Sequence, residues 1–384
     1  LDGIELGPLC IYAEKKVCHT FYDENPPHWK FLAMRLICNI ALLIITMPLF
    51  LSSCAKTERE VQHLLHETIA LQPEELLGRP YQMAISGNCL ILTDGASEQM
   101  FHLVDIDKEQ YAGSVGKKGP GPLEFSHPQS LCIANGRFFI FDIGKYKAFE
   151  IFPDTDVKKV KITETGDFQD THSAIIPLGS GQYATCGLYR DGWVKLLDAR
   201  QNVVASSDDC PCDENDKDIP NLDRSFAYQG TLVYNGDDKL VMGTFYAKQL
   251  YVFKIEHGTL KCESSLVQSY PLYRDNSADL QKETGREAYG VAFDKENKMG
   301  YVKLYAAPDK IYALYSGSSI KEQTDAHRNI GEGSELIVYN YDLKELASYK
   351  LDVPLRTFTL DEKTNTIYGI GYLPEATLVK FKLP

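Results

Sequence analysis

The chain has 384 residues, with 53 Asp and Glu against 40 Lys and Arg and a formal net charge of −13. An acidic balance with no clustered basic stripe excludes the electrostatic footprint of nucleic-acid binding, so no nucleic-acid partner is expected. With 23 Tyr, 17 Phe, only 2 Trp, many β-branched residues and frequent Gly, Asn and Asp turn pairs, the composition points to an all-β protein.

The first element in chain order is not part of a fold. Residues 1–33 are polar and carry Pro26-Pro27, Cys10 and Cys18. They precede Met34–Cys54, in which Arg35 supplies a positive segment and Ile40–Leu51 an apolar run broken only by Thr46 and Pro48. That run is well short of the ~20 residues that span a bilayer and suits the core of an export signal. Leu51-Ser52-Ser53-Cys54 resembles the lipobox of bacterial lipoproteins. The resemblance implies lipidation of Cys54, cleavage before it, and stable attachment to a cell-envelope membrane by several acyl chains, with an outer-membrane position facing the periplasm or the surface. The competing reading is a short buried helix ending in a core cysteine. Initiation is expected at Met34, with residues 1–33 as over-extended translation or a disordered segment; a cytoplasmic extension is the alternative.

From about residue 80 a unit recurs: an apolar strand, a turn, an alternating strand, a third strand ending near an Asp, and a polar outer strand. The copies are Tyr81–Ser86, Cys89–Asp94, Phe101–Asp105 and Gln110–Gly116; then Gln129–Ala134, Arg137–Asp142, Ala148–Phe152 and Val157–Thr163. Next come Ala174–Leu178, Gln182–Leu188, Val194–Asp198 and Val203–Ser207, followed by Tyr228–Tyr234, Lys239–Thr244, Leu250–Ile255 and Leu260–Gln268. The fifth copy is Tyr301–Ala306, Lys310–Tyr315, Glu335–Tyr341 and Glu345–Leu351. Ser86-Gly87-Asn88, Asn135-Gly136 and Asn235-Gly236 supply the positive φ that tight hairpins require. Four-stranded units repeating every ~40–50 residues predict a β-propeller. The sixth copy has only three strands, Arg356–Leu360, Thr366–Gly371 and Leu378–Lys382, while His63–Ala70 is left over at the start. A ring that stays open exposes raw sheet edges, so His63–Ala70 is predicted to be the outer strand of the last blade. The fold class expected is an all-β, six-bladed propeller of four-stranded antiparallel blades closed by an N-terminal strand. The organisation is residues 34–53 as signal peptide, 54–62 as tether and 63–384 as propeller.

Gly116-Lys117-Lys118-Gly119-Pro120-Gly121-Pro122-Leu123-Glu124-Phe125 resembles the GxxGxGPxEF turn of bacterial six-bladed propellers of the TolB-like and NHL-like group. Ile311–Gly317 and the closing Leu378–Leu383 are similar to the TolB-like lipoprotein propellers of anaerobic gut bacteria. The resemblance implies the fold and an envelope location and says little of activity. In the blade-junction motif, Gly116, Gly119 and Gly121 permit a tight crossing, Pro122 stiffens it, Phe125 fills the gap between blades, and Glu124 caps backbone amides or meets a ligand.

Chemical motifs are sparse. The glycine-rich turn has neither phosphate-loop nor dinucleotide spacing, and His63-Leu64-Leu65-His66-Glu67 matches no zinc-protease pattern. No nucleophile elbow is present, and Ser316-Gly317-Ser318-Ser319 reads as a plain loop. Asp208, Asp209, Asp213, Glu214, Asp216 and Asp218 form a solvated acidic loop rather than a calcium site, since they do not follow EF-hand positions. Cys89, Cys132, Cys186 and Cys262 read as small hydrophobes and Cys210 and Cys212 as loop thiols, with no disulfide framework. Residues 208–227 and 270–298 are longer than ordinary connections and are expected as insertions on one face. Tyr273, Arg274 and Arg286, with Tyr305, Tyr312 and Arg356, are the candidate ligand-binding residues of a funnel-face site. No catalytic residue, metal ligand or cofactor is assigned. The function expected is a lipid-anchored binding or assembly module for an envelope protein or glycan; the alternative is a metal-dependent, lactonase-like propeller hydrolase, which needs oxygen ligands gathered around the channel.

Overall fold

The computed structural model describes residues 61–72, 76–169, 171–326 and 331–384. The expected signal peptide at 34–53, Cys54 and the expected tether as far as Glu60 lie outside the described residues. Six antiparallel sheets form the blades. Blade 1 is Pro80–Ser86, Cys89–Asp94, Gln99–Asp105 and Gln110–Lys117; blade 2 is Pro128–Ala134, Arg137–Asp142, Lys147–Phe152 and Lys161–Asp167. Blade 3 is His172–Gly179, Gln182–Gly187, Val194–Leu197 and Val203–Ser206; blade 4 is Gly230–Tyr234, Lys239–Thr244, Gln249–Glu256 and Thr259–Val267. Blade 5 is Tyr301–Ala306, Ile311–Tyr315, Gly333–Tyr339 and Glu345–Leu355; blade 6 contributes Thr357–Asp361, Thr366–Tyr372 and Ala376–Lys382. The first strand of each blade contacts the first strand of the next all the way round, including blade 6 against blade 1.

Alternation along a strand accounts for the ring. Leu90 and Leu92 pack with Tyr368, Ile370 and Leu378 of blade 6, whereas Ile91 between them packs with Phe138 and Ile140 of blade 2. Both faces of a blade are therefore buried, and its middle strands read as nearly continuous apolar runs. Six apolar clusters result, one for each junction between neighbouring blades. Hairpin chemistry fixes the register: Asn135 and Gly136 take φ of 51° and 73° in the turn between the first two strands of blade 2.

The ring closes through the N-terminal segment, in two pieces rather than one. Glu67–Thr68 pairs antiparallel with Val379–Lys380 and completes blade 6, and Ile69 N–H donates to the Leu378 carbonyl at 2.9 Å. Gln62–Leu64 instead runs parallel to Tyr349–Leu351 on the outer edge of blade 5. Between the two pieces, the backbone N–H and ring Nδ1 of His66 meet Asp352, the latter at 3.0 Å, which turns the chain from one blade to the next. Lys380 then bridges Glu109 of blade 1 at 2.6 Å and Glu67 at 2.9 Å, and these two partners raise its pKa to about 12.

Local chemistry shifts two further elements from their sequence expectation. The outer strand of blade 2 starts at Lys161, because Asp156 accepts the Lys158 N–H and caps a 3₁₀ turn at Val157–Lys159. Ser316–Ser319 is more than a plain loop. Ser319 accepts the Glu322 N–H at 3.0 Å while the Glu322 carboxylate accepts the Ser319 N–H at 2.7 Å, a capping box that starts the helix Ile320–Asp325. No helix among the described residues is long and apolar enough to cross a membrane.

Candidate ligand channel and funnel face

Antiparallel order dictates which loops share an end of the ring. Connections from second to third strand, and from the outer strand to the next blade, emerge together. Among the described residues, the three connections that carry α-helices all belong to this end: 207–229 with Asn221–Ala227, 268–300 with Ser277–Thr284 and the hairpin Tyr273–Asp275/Val291–Phe293, and 316–332 with Ile320–Asp325. The insertions at 208–227 and 270–298 thus share one face, here called the funnel face.

They are tied to each other and to the ring. The Asn221 side chain accepts the Cys210 N–H at 2.8 Å and donates to the carbonyls of Tyr189 and Gly192 at 3.1 and 2.9 Å. Asp216 is buried and accepts the hydroxyls of Tyr228 and Tyr273, each at 2.9 Å. Burial, followed by this carboxylate, pushes both phenols far above their ordinary range. Ser277 donates to Asp223 at 2.6 Å, linking the two insertions. The acidic loop is therefore a set of separate struts: Asp209 accepts the Gly192 N–H at 2.7 Å and Asp213 the Asn215 N–H at 2.7 Å. Among the described residues no three His, Cys, Asp or Glu side chains converge as metal ligands. Cys210 is not a loop thiol; it is buried in the cluster between blades 3 and 4, whereas Cys212 is exposed.

The junction motif lies at the same end, between blades 1 and 2. Phe125 is fully buried between Phe101 and Phe149, at centroid distances of 4.7 and 4.8 Å. Glu124 accepts the Gly121 N–H at 2.8 Å. A Cβ on Gly119, at φ 155°, would lie 2.3 Å from that carboxylate, and one on Gly116 would lie 2.5 Å from the Phe101 ring. Gly121 has no such space either, its Cβ position being 2.9 Å from Glu124. Pro122 sits in the loop those contacts close. This arrangement is structural throughout, and Glu124 has no place on the channel wall.

The channel along the ring axis has a volume of about 800 Å³ and is walled by the first strands of all six blades. Of the six candidate residues, Tyr305 and Arg356 lie on this wall. The Tyr305 hydroxyl donates to Glu362 at 2.8 Å, and Arg356 donates to the Gly331 carbonyl at 3.3 Å. The others are elsewhere. Tyr312 is buried in the cluster between blades 5 and 6, because a second-strand side chain faces a neighbouring blade and not the axis. Tyr273 has its hydroxyl on Asp216, Arg274 pairs with Asp279 at 3.1 Å on the surface, and Arg286 is exposed in the insertion. The structure brings Tyr305 and Tyr312 edge to face, at 6.4 Å between ring centroids, and does not gather all six.

Two wall residues were missed. Lys303 sits in the middle of Tyr301–Ala306 beside a β-bulge, and Cys132 sits beside another in Pro128–Ala134. Lys303 keeps some surface open to the channel but is surrounded by protein, and desolvation pulls its amine below the ordinary lysine range. Burial likewise pushes the Cys132 thiol up to about 12, opposed by Lys303. The signal was available: a lysine at the centre of an otherwise apolar first strand.

A ring of six four-stranded blades around an open axial channel defines a six-bladed propeller. The family model described as TolB-like 6-blade propeller-like matches residues 61–363, and the chain belongs to that family. Two solved structures share the fold. One is a protein of Bacteroides fragilis whose name gives it as exported by inference only (11% identity, TM-score 0.54, covering 83% of this chain and 97% of that one). The other is a member of the DUF4221 family from Bacteroides vulgatus (12% identity, TM-score 0.51, 84% and 96%). No curated protein matches the sequence.

Proposed function

We propose that this chain is a lipid-anchored, extracytoplasmic binding module, attached through Cys54 to a cell-envelope membrane and presenting its funnel face to an envelope protein or glycan. The observation that carries the binding role is the gathering, among the described residues, of three helix-bearing connections at one end of the ring, where Ser225, Met299 and Gly331 reach the channel. A rigid ring needs none of them: the connection between blades 1 and 2 crosses in a compact glycine-rich turn. Surplus structure on one face of a rigid scaffold is where recognition is usually built. Envelope attachment is supported by the export-type segment ending at Cys54 and by the Bacteroides fragilis relative named as exported by inference. Binding is favoured over metal-dependent hydrolysis because Glu362 is the one carboxylate among the described wall residues, and it is engaged by Tyr305.

The test is affinity capture of the crosslinked protein from its native membrane. A specific envelope protein or glycan should be recovered with the wild type and lost when residues 270–298 are replaced by a short Gly-Ser linker. Recovery of no specific partner by the wild type would overturn the binding role. The anchor is tested separately: Cys54→Ala should lose lipid label and leave the membrane fraction, and retention of both would refute it.

A further inference from the structure

We propose that the axial channel is a binding site for a small organic oxyanion, a carboxylate or a phosphate monoester, whose charge is received by the Lys303 ammonium. This inference stands on the channel and not on the funnel-face partner.

Blade 5 lies opposite blade 2 in a six-membered ring, and Lys303 of blade 5 and Cys132 of blade 2 both line the channel. The side chain therefore reaches toward the axis. The bulge between Tyr301 and Lys303 is the kind of local irregularity that re-aims a strand side chain. Among the described residues the Lys303 side chain makes no hydrogen bond or ion pair. The other deeply placed lysine behaves differently: Lys195 pairs with Asp191 at 3.3 Å and lies 4.5 Å over the Tyr189 ring. A desolvated cation without a partner is destabilising, and an incoming anion supplies what the wall withholds. The volume of about 800 Å³ falls in the range of small-molecule sites, and the wall mixes apolar side chains with polar ones such as Gln82, Gln129 and Thr357 that can orient a bound molecule.

The other titratable wall groups leave the anion's charge to Lys303. Glu362 and Arg356 come from blade 6, with Glu362 held by Tyr305 and Arg356 donating to Gly331. His127 of the blade 1–2 connection contacts the Gln129 side chain at 3.0 Å. Cys132 and Cys186 are held neutral, both with pKa near 12. The remaining titratable wall groups are phenols. Because desolvation disfavours the empty ammonium, anion binding draws a proton onto Lys303, and affinity rises as pH falls.

Calorimetric titration with D-glucuronate, D-glucose 6-phosphate and D-glucose tests this, the three sharing one ring and differing in charge. At least one anion should bind, with affinity falling as pH rises from about 7 to about 10, a span in which both anions keep a constant charge, and glucose should not; which anion binds separates carboxylate from phosphate. Lys303→Met should lose about tenfold or more, the scale of one charge-assisted hydrogen bond. Lys303→Arg should retain binding and lose that pH dependence. Binding of neither anion, equal binding to Lys303→Met, or a pH-independent wild type would each overturn the proposal. Should Lys303→Met fail to fold by thermal melt, the wild-type and Lys303→Arg pH profiles decide alone. Partner capture is unaffected by Lys303→Met on this account, so the two readings fail separately.

Discussion

The connection from blade 1 to blade 2 and the connection from blade 4 to blade 5 do the same topological job. Each carries the chain from an outer strand back to the next strand on the axis. The first does it in the span Lys118–His127, with glycines where no Cβ fits and Phe125 sealed between two rings. The second takes residues 268–300 and adds a hairpin and a helix. The difference separates what the ring needs from what it displays. Close packing at the short crossing serves the fold, while polar struts such as Asp216 fix the orientation of an added surface.

The comparison breaks most sharply at Phe125. Phe125→Ala is expected to cost about 3–5 kcal/mol in urea unfolding, because the space between Phe101 and Phe149 cannot collapse; a loss below about 1 kcal/mol would show the plug to be dispensable. Gly116→Ala should follow at about 1–3 kcal/mol, since the new methyl meets the Phe101 ring at a backbone φ of 75°. Across the ring, Tyr273→Phe should cost only about 1 kcal/mol, because Tyr228 still satisfies Asp216. Its effect should appear in hydrogen exchange as faster opening of the 270–298 insertion with the blades unchanged. Global loosening would mean that the insertion is part of the ring's stability.

The smallest effect concerns pH. His102 is buried beside Asp94, at 3.7 Å, and burial lowers its pKa below the ordinary 6.5 although Asp94 opposes the shift. The unfolded imidazole therefore takes up its proton first as pH falls. Stability from this group is fully present above about 6.5 and erodes below it, with a slope of at most about 1.4 kcal/mol per pH unit. His102→Gln should flatten that part of the stability profile relative to wild type, and an unchanged profile would remove His102 from the account.

Much of the ring was legible in the sequence because its causes are local. Strand ends such as Cys89–Asp94 and Lys239–Thr244 are marked by alternation and by turn residues, and these elements begin and end where those signals put them. The missing strand of blade 6 was legible by counting. What local signals could not give was the split at His66, since it depends on Asp352, far away in the chain. Nor could they separate wall from junction. Tyr305 and Tyr312 look alike in sequence and their rings meet at 6.4 Å, yet Tyr305, on a first strand, reaches the channel while Tyr312, on a second strand, is buried between blades 5 and 6.

The sequence alone determined that this chain repeats a four-stranded unit, that the repeats lack one strand and carry a spare, and that two connections are too long for the ring. Period-two alternation and positive-φ turns act within a few residues, so they are written directly in the residue order. Tertiary structure alone decided which side chains share the axial space. Lys303 and Cys132 are far apart along the chain and line one channel only because closure of six blades sets their strands around a common axis. The physical reason is that a ring turns long sequence separations into short distances, and no pattern confined to one strand carries that information.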